Sequence, residues 1–343
     1  MNWSMTVPRS TGSKTVASVA LVAVLYAVPW FVPAFYVFLT SRLLVFALFA
    51  MALNLVFGYG GLPSLGHAAF FGTGGYVVAL GVTRWDWSFW TILAVVVLLG
   101  LVLGAILGLL TIRTEGIYLL LLSLAFAQSL WALAFEQVRF TRGDNGISGI
   151  SRQSIPFGLG GDFYSVILFT TVLFIGVMWV WTRSPAGRAV VGARESKSRM
   201  EALGYRVWQY RVGAFALSGM ISSIAGMLLV YLQGIASPEI LFWPLSADVL
   251  VMCIIGSAGV FLGPALGASL VIGLQSLVST YTDRWVLVLG VLYILTMLFL
   301  RDGLLGRLGV GTAGDDPDPS DEPTEATTDA AAVPAGAQDG GAA

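Results

Sequence analysis

The chain has 343 residues, of which 57% are hydrophobic and only 11% charged, and its mean hydropathy is +0.84. Such a composition excludes a soluble core with a solvated surface and marks an integral membrane protein. The formal net charge of −1 conceals two opposed parts, because residues 315–343 hold eight acidic and no basic side chains while the rest of the chain has 18 basic against 11 acidic.

In chain order, apolar runs predict membrane helices at roughly 16–39, 42–57, 63–82, 88–111, 116–136, 163–182, 211–234, 246–262, 263–281 and 284–300. A run of about 20 residues at about 1.5 Å rise crosses about 30 Å of hydrocarbon. The runs are too long and continuous for a barrel. The second, third and eighth are short or interrupted by glycine, so the fold class is an all-α polytopic bundle of about 8–10 spans with Gly-interrupted segments. Residues 1–15 form a short polar N-terminal segment and 16–306 the membrane domain. Residues 310–343, rich in Asp, Glu, Pro, Thr, Ala and Gly, read as a disordered tail. The first apolar run follows Arg9 and Lys14 like a signal sequence, but it is longer and lacks a clear cleavage site, so it reads as a retained helix.

The stretch Arg183 to Arg211 carries seven of the 18 Lys and Arg residues between two membrane-length segments. By the positive-inside rule it is a cytoplasmic loop, and six spans before it place the N-terminus on the same side. Alternation then puts 12 basic residues inside and six outside (Arg42, Arg84, Arg139, Arg142, Arg152 and Arg284), with both termini cytoplasmic. The loop is too patterned for a slack linker and reads as a docking site.

Glycine and proline crowd the stretch Gly58 to Tyr76, and again Gly256 to Gly267. Small residues let helices approach closely, and irregular backbone at membrane depth must be covered by protein or line a water-filled cavity. Two readings stay open for the first stretch, tight packing or a pathway lining, and the second stretch raises an internal duplication without a residue-by-residue repeat. Among polar groups at membrane depth, Asn54, His67, Gln128, Gln233, Asp248 and Gln275 each need a partner. Asp248 reads as a buried anchor ahead of a pathway residue, and His67, the single histidine, as a hydrogen-bonded packing residue. The candidate translocation path comprises Asn54, Gly58, Gly60, Gly61, Ser64, Gly66, His67 and Gln128.

Several chemistries are absent from the sequence. Gly12 to Thr15 only superficially resembles a phosphate-binding loop, and there is no nucleophile elbow and no zinc spacing. The one cysteine, Cys253, lies in an apolar span, so no intrachain disulfide forms and metal ligation is not expected. No catalytic, metal or cofactor site is expected, and a pump built on this chain draws its energy from a partner.

The segment from Asn54 to Gly72 resembles the signature of permease subunits from branched-chain amino acid ABC importers, specifically the longer of the two permease types. Further matches follow in order: Gly116 to Leu119, Ser123 to Gln128, Thr141 to Ile150, Ser184 to Arg188, Ala202 to Gly204, Gly263 to Ala268 and Asp302 to Gly306. The chain departs from the pattern in its acidic tail and in Pro63, where Leu is more usual. The resemblance implies the ABC importer permease fold, with a second, related permease chain, two cytoplasmic ABC ATPase subunits that use the ATP, and an extracytoplasmic substrate-binding protein. It also implies a cell membrane location among lipid and no nucleic acid partner.

Within the loop, the resemblance implies an ATPase-coupling helix over Arg194 to Gly204. Met200, Leu203 and Val207 fall at helical spacing as its apolar face, Arg194, Glu195, Arg199 and Glu201 would supply rim contacts, and Ala202 leads into Gly204, which ends the helix. Branched-chain amino acids are the leading cargo. The alternatives are urea, short amides or other amino acids on the same scaffold, then a stand-alone channel or secondary carrier, or a scaffold that recruits a soluble protein without transport.

Overall fold

The computed structural model describes residues 22–152 and 163–281, with 287, 288, 290, 291, 293 and 294 beyond them. The N-terminal segment 1–15 and the acidic tail lie outside the described residues. Twelve α-helices are described: α1 (Val22–Phe31), α2 (Ala34–Val56), α3 (His67–Arg84), α4 (Phe89–Leu110), α5 (Ile117–Glu136), α6 (Val138–Thr141), α7 (Phe163–Arg183), α8 (Pro185–Glu195), α9 (Lys197–Ala202), α10 (Val207–Gln233), α11 (Trp243–Gly256) and α12 (Gly263–Tyr281). Six of them, α2, α4, α5, α7, α10 and α12, are long and apolar enough to cross a membrane.

The first break falls elsewhere than the sequence predicts. Residues 34–41 belong to α2, and the chain bends at Val32–Pro33, where proline supplies no N–H to continue a helix. Thr40 and Ser41, which read as a break, instead donate their hydroxyls to the Tyr36 and Val37 carbonyls one turn back, each at 2.8 Å. Arg42 accordingly sits inside the helix, its guanidinium 5.7 Å from the Phe46 ring.

Helix α10 is the axis of the bundle, with residues buried along almost its whole length, and it packs on α4, α3 and α2. The approach is backbone to backbone. Gly100, Gly104 and Gly108 repeat every fourth residue along α4, and a Cβ on Gly104 would stand 2.4 Å from the Phe215 carbonyl oxygen of α10. On the facing side, Cβ atoms at Gly74 and Gly226 would come within 1.9 Å of the Ser223 oxygen and 1.8 Å of the Phe71 oxygen. Lipid tails are as apolar as leucine, so helix association here rests on contact and hydrogen bonds, which small residues permit. Ser223 Oγ adds one such bond by donating to the Phe70 carbonyl at 2.9 Å.

The turns gather at two ends. At one lie the α2–α3 loop, the α4–α5 turn, the α8–α9 segment and the α11–α12 turn; this is the basic end. At the other, β1 (Ile147–Ser148) pairs antiparallel with β2 (Ile235–Ala236), and Arg152 donates to the Tyr231 and Leu232 carbonyls at the end of α10 at 2.9 and 2.7 Å. The alternation of ends follows the sequence reading throughout the described spans.

Gly226→Ala should lower the detergent-solubilised melting temperature and folded yield, at a cost of about 1–3 kcal/mol for overpacking a tight contact. Gly273→Ala, where a Cβ meets nothing within 4 Å, should leave both unchanged, as read by fluorescence-detected size exclusion.

Candidate functional site

The basic loop folds as two helices, not one. Ser184 caps α8 by accepting from the Gly187 N–H at 3.2 Å, with Pro185 at the first helical position, and the helix buries Ala189, Val190 and Ala193 against the bundle. Ser196 then interrupts the helix and caps α9, accepting from the Arg199 N–H at 3.3 Å. Gly204 ends α9 at φ +86, with its N–H bonded to the Glu201 carbonyl and the Tyr205 N–H to that of Met200. That pair of bonds is the glycine-closed helix end that the Ala-Leu-Gly sequence predicts.

The predicted contact face divides. Leu203 is 72% exposed, Met200 lies half-buried over Gly192 of α8, and Val207 is buried at the start of α10, so Val207 belongs to the chain's own core and not to a docking face. Glu195, Arg199, Glu201 and Ala202 are exposed. Beside them an open cleft of about 500 Å³ is lined by Leu203, Gly204, Tyr205, Arg206, Gln209 and Tyr210. Arg194 is exposed as well, and its Nη1 also donates inward to the Gly58 carbonyl.

The candidate path residues are mostly packed inside the chain. Asn54 donates from Nδ2 to the Val260 carbonyl at 3.1 Å and accepts at Oδ1 from the Gly259 N–H at 3.0 Å, which joins the two glycine-rich stretches directly. Gly58 touches the same turn, since a Cβ on it would lie 2.4 Å from the Gly259 nitrogen, and Gly60 packs toward Val190. Gly61 is exposed, and Gly66 is buried against Ser123 and Leu107. His67, fully buried, bridges Ser64 Oγ at 3.1 Å and Ser218 Oγ at 2.9 Å, and Ser218 donates on to the Ala52 carbonyl. This is the hydrogen-bonded packing role read for the histidine. Gln128 differs, for its Oε1 is buried on α5 with no hydrogen-bond partner among the described residues. Asp248 is exposed on α11 and is not the buried anchor expected of it.

One residue escaped the sequence reading. Glu115, in the α4–α5 turn, accepts from Lys197 Nζ at 3.0 Å and from Arg211 Nη1 at 3.2 Å. Together they tie α9 and α10 to the start of α5. A lone acid in a turn on the same side as a basic loop was the available signal.

The sequence profile of the branched-chain amino acid transport system permease component matches residues 35–300. The chain belongs to this family. It is 29% identical over 322 residues to the high-affinity branched-chain amino acid transport system permease protein LivM of Escherichia coli, covering 86% of this chain and 76% of that one. The Salmonella typhimurium LivM is 28% identical over 323 residues, again covering 86% and 76%, and the probable LivM of Methanocaldococcus jannaschii 24% over 279, covering 68% and 78%. No solved structure matches the chain.

As a permease component the chain is a multi-pass membrane protein and a transport subunit of a larger assembly, not an enzyme. Its functional surface is therefore mechanical and electrostatic. The hydrogen bond from Lys197 holds the Glu115 carboxyl below its usual range, partial burial opposes it, and Arg211 adds a further lowering. A depressed carboxyl pKa contributes its tie above the ordinary carboxylate range and loses it as pH falls through the lowered value.

The two branches of this tie differ in burial, with side-chain exposures of 40% for Lys197 and 8% for Arg211. An exposed pair is worth about 0.2–1 kcal/mol, whereas removing the acid strands a buried guanidinium. Lys197→Ala should therefore lower the melting temperature slightly and Glu115→Ala distinctly more. Equal effects in a thermal series at pH 7 would show that the Arg211 branch contributes nothing.

Proposed function

We propose that this chain is the membrane-spanning permease of an ATP-driven importer of branched-chain amino acids in the cell membrane, with both termini and the α8–α9 segment cytoplasmic. Its partners are a second, related permease chain, two ABC ATPases beneath the basic end, and an extracytoplasmic binding protein at the opposite end. The observation that carries the reading is the exposed apolar and aromatic edge at Leu203 and Tyr205, 72% and 44% exposed, set beside the open cleft at the end of a basic segment. Such an edge outside the membrane-spanning helices fits a soluble partner.

Alternating access follows from differential binding. ATP binding moves the ATPases, α9 moves with them, and the bundle exchanges outward-open and inward-open forms; only ligands that prefer one form drive the exchange. The substrate is gated and not chemically changed. Gln128, the path candidate with an unspent buried acceptor, is the residue of this chain best suited to a hydrogen bond with substrate or with the second permease chain.

The test is reconstitution of this chain with its ATPases, sister permease and binding protein in proteoliposomes. Leucine should stimulate ATP hydrolysis and drive uptake, and urea should do neither. Gly204→Val, which forbids the φ of +86, should cut leucine-stimulated hydrolysis at least tenfold while leaving membrane insertion intact. Stimulation by urea alone would change the cargo, and uptake without ATP would overturn the importer reading.

A further inference from the structure

We propose that Arg194 is a positioning residue that fastens the ATPase-facing segment to both interrupted stretches of the membrane bundle, so that displacement of α9 is delivered to the α2–α3 loop and the α11–α12 turn together. The proposal rests on the importer reading above and assigns the strut within it.

The geometry is specific to this side chain. Arg194 lies in the last turn of α8, and its stem crosses Gly61, where φ is +65 and a Cβ would stand 2.7 Å from Arg194 Cγ. Beyond the stem, Nη1 donates to the Gly58 carbonyl, at the C-terminal end of α2. The same nitrogen abuts Gly259, 3.4 Å from where a Cβ would be, with φ +88. Gly259 and Val260 are in turn tied to α2 by the two hydrogen bonds of the Asn54 amide, from the Gly259 N–H and to the Val260 carbonyl. One guanidinium therefore sits where α8, the end of α2 and the turn after α11 converge, with Gly61 beside its stem and Gly259 beside its Nη1.

A docking rim residue would point its charge outward to a partner. Arg188 and Arg194 are both exposed on α8, but Arg194 spends a donor inward on the Gly58 backbone carbonyl. Because α8 is anchored by buried Ala189, Val190 and Ala193, and Arg194 stands at its end just before the break at Ser196, a push on exposed Leu203 reaches Arg194 through the six residues of α9. Non-helical backbone at 57–66 and 257–262 can shift without breaking a helical ladder, which makes these stretches suited to receive the displacement.

The experiment measures leucine taken up per ATP hydrolysed in proteoliposomes holding the complete complex, for wild type, Arg194→Ala, Arg194→Lys and the control Arg188→Ala. Arg194→Ala should lower the ratio at least fivefold with the ATPases still co-purifying, because hydrolysis then proceeds without moving the loops. Arg194→Lys, which keeps the charge but not the planar fork, should fall between it and wild type, and Arg188→Ala should match wild type. If Arg194→Ala does not fold, a two- to threefold drop for Arg194→Lys decides in favour. A wild-type ratio in the Arg194 variants would overturn the strut, as would loss of the ATPases from the purified Arg194→Ala complex, which places the residue in the docking rim instead. Absence of leucine-stimulated hydrolysis in the wild-type complex would overturn the importer reading itself.

Discussion

Everything in this bundle depends on how closely α10 approaches its neighbours. With Gly100, Gly104 and Gly108 on one flank and Gly74 and Gly226 on the other, backbone carbonyls lie where side chains would normally keep helices apart. In lipid there is no hydrophobic gain from hiding leucine from leucine, so close contact and its dispersion energy hold the helices. The resulting axis is buried along most of its length, whereas α5, with 22% of its apolar window buried, is the least covered of the six long apolar helices and leaves the largest share of its surface free for neighbours.

The same constraint explains the polar residues. Where the helical ladder stops at 57–66 and 257–262, the freed backbone groups that are buried need partners. Asn54 satisfies one N–H and one carbonyl of the 257–260 turn, Arg194 satisfies the Gly58 carbonyl, and Ser123 Oγ accepts from the Leu65 N–H at 2.9 Å. His67 closes a chain of hydroxyls from Ser64 through Ser218 to Ala52. Groups that look like a transport path in one dimension thus serve as joints in three, and a joint built from side-chain hydrogen bonds can rearrange more readily than a continuous helix.

Much of this was legible in the sequence, and the failures have physical causes. Span type, alternation of ends and the glycine stop at Gly204 follow from hydropathy, charge and backbone preference. The break near 40 misled because serine and threonine can bond their own helix as readily as end it, and proline at 33 was the stronger stop. Val207 sits at a spacing compatible with an outward face, but helical phase is lost across the break at Gly204, so periodicity could not say that it is buried. Glu115 pairs with residues 82 and 96 positions away, a distance no local pattern spans.

The energies set a limit on what any single joint does. A hydrogen bond to a charged group contributes about 1.5–3 kcal/mol, enough to change a two-state ratio by roughly ten- to a hundredfold. Moving a bundle from one per cent to 99 per cent of one form takes about 5.5 kcal/mol of differential binding. The Arg194 bond alone is too small for that, and the exposed Glu115 to Lys197 pair is smaller still. The balance must come from surfaces formed in one state and not the other, and the exposed edge at Leu203 and Tyr205 is where this chain offers such a surface. On the importer reading, the hydrogen-bonded joints are of the strength a transmission needs, stiff enough to carry a displacement and weak enough to be broken within each cycle.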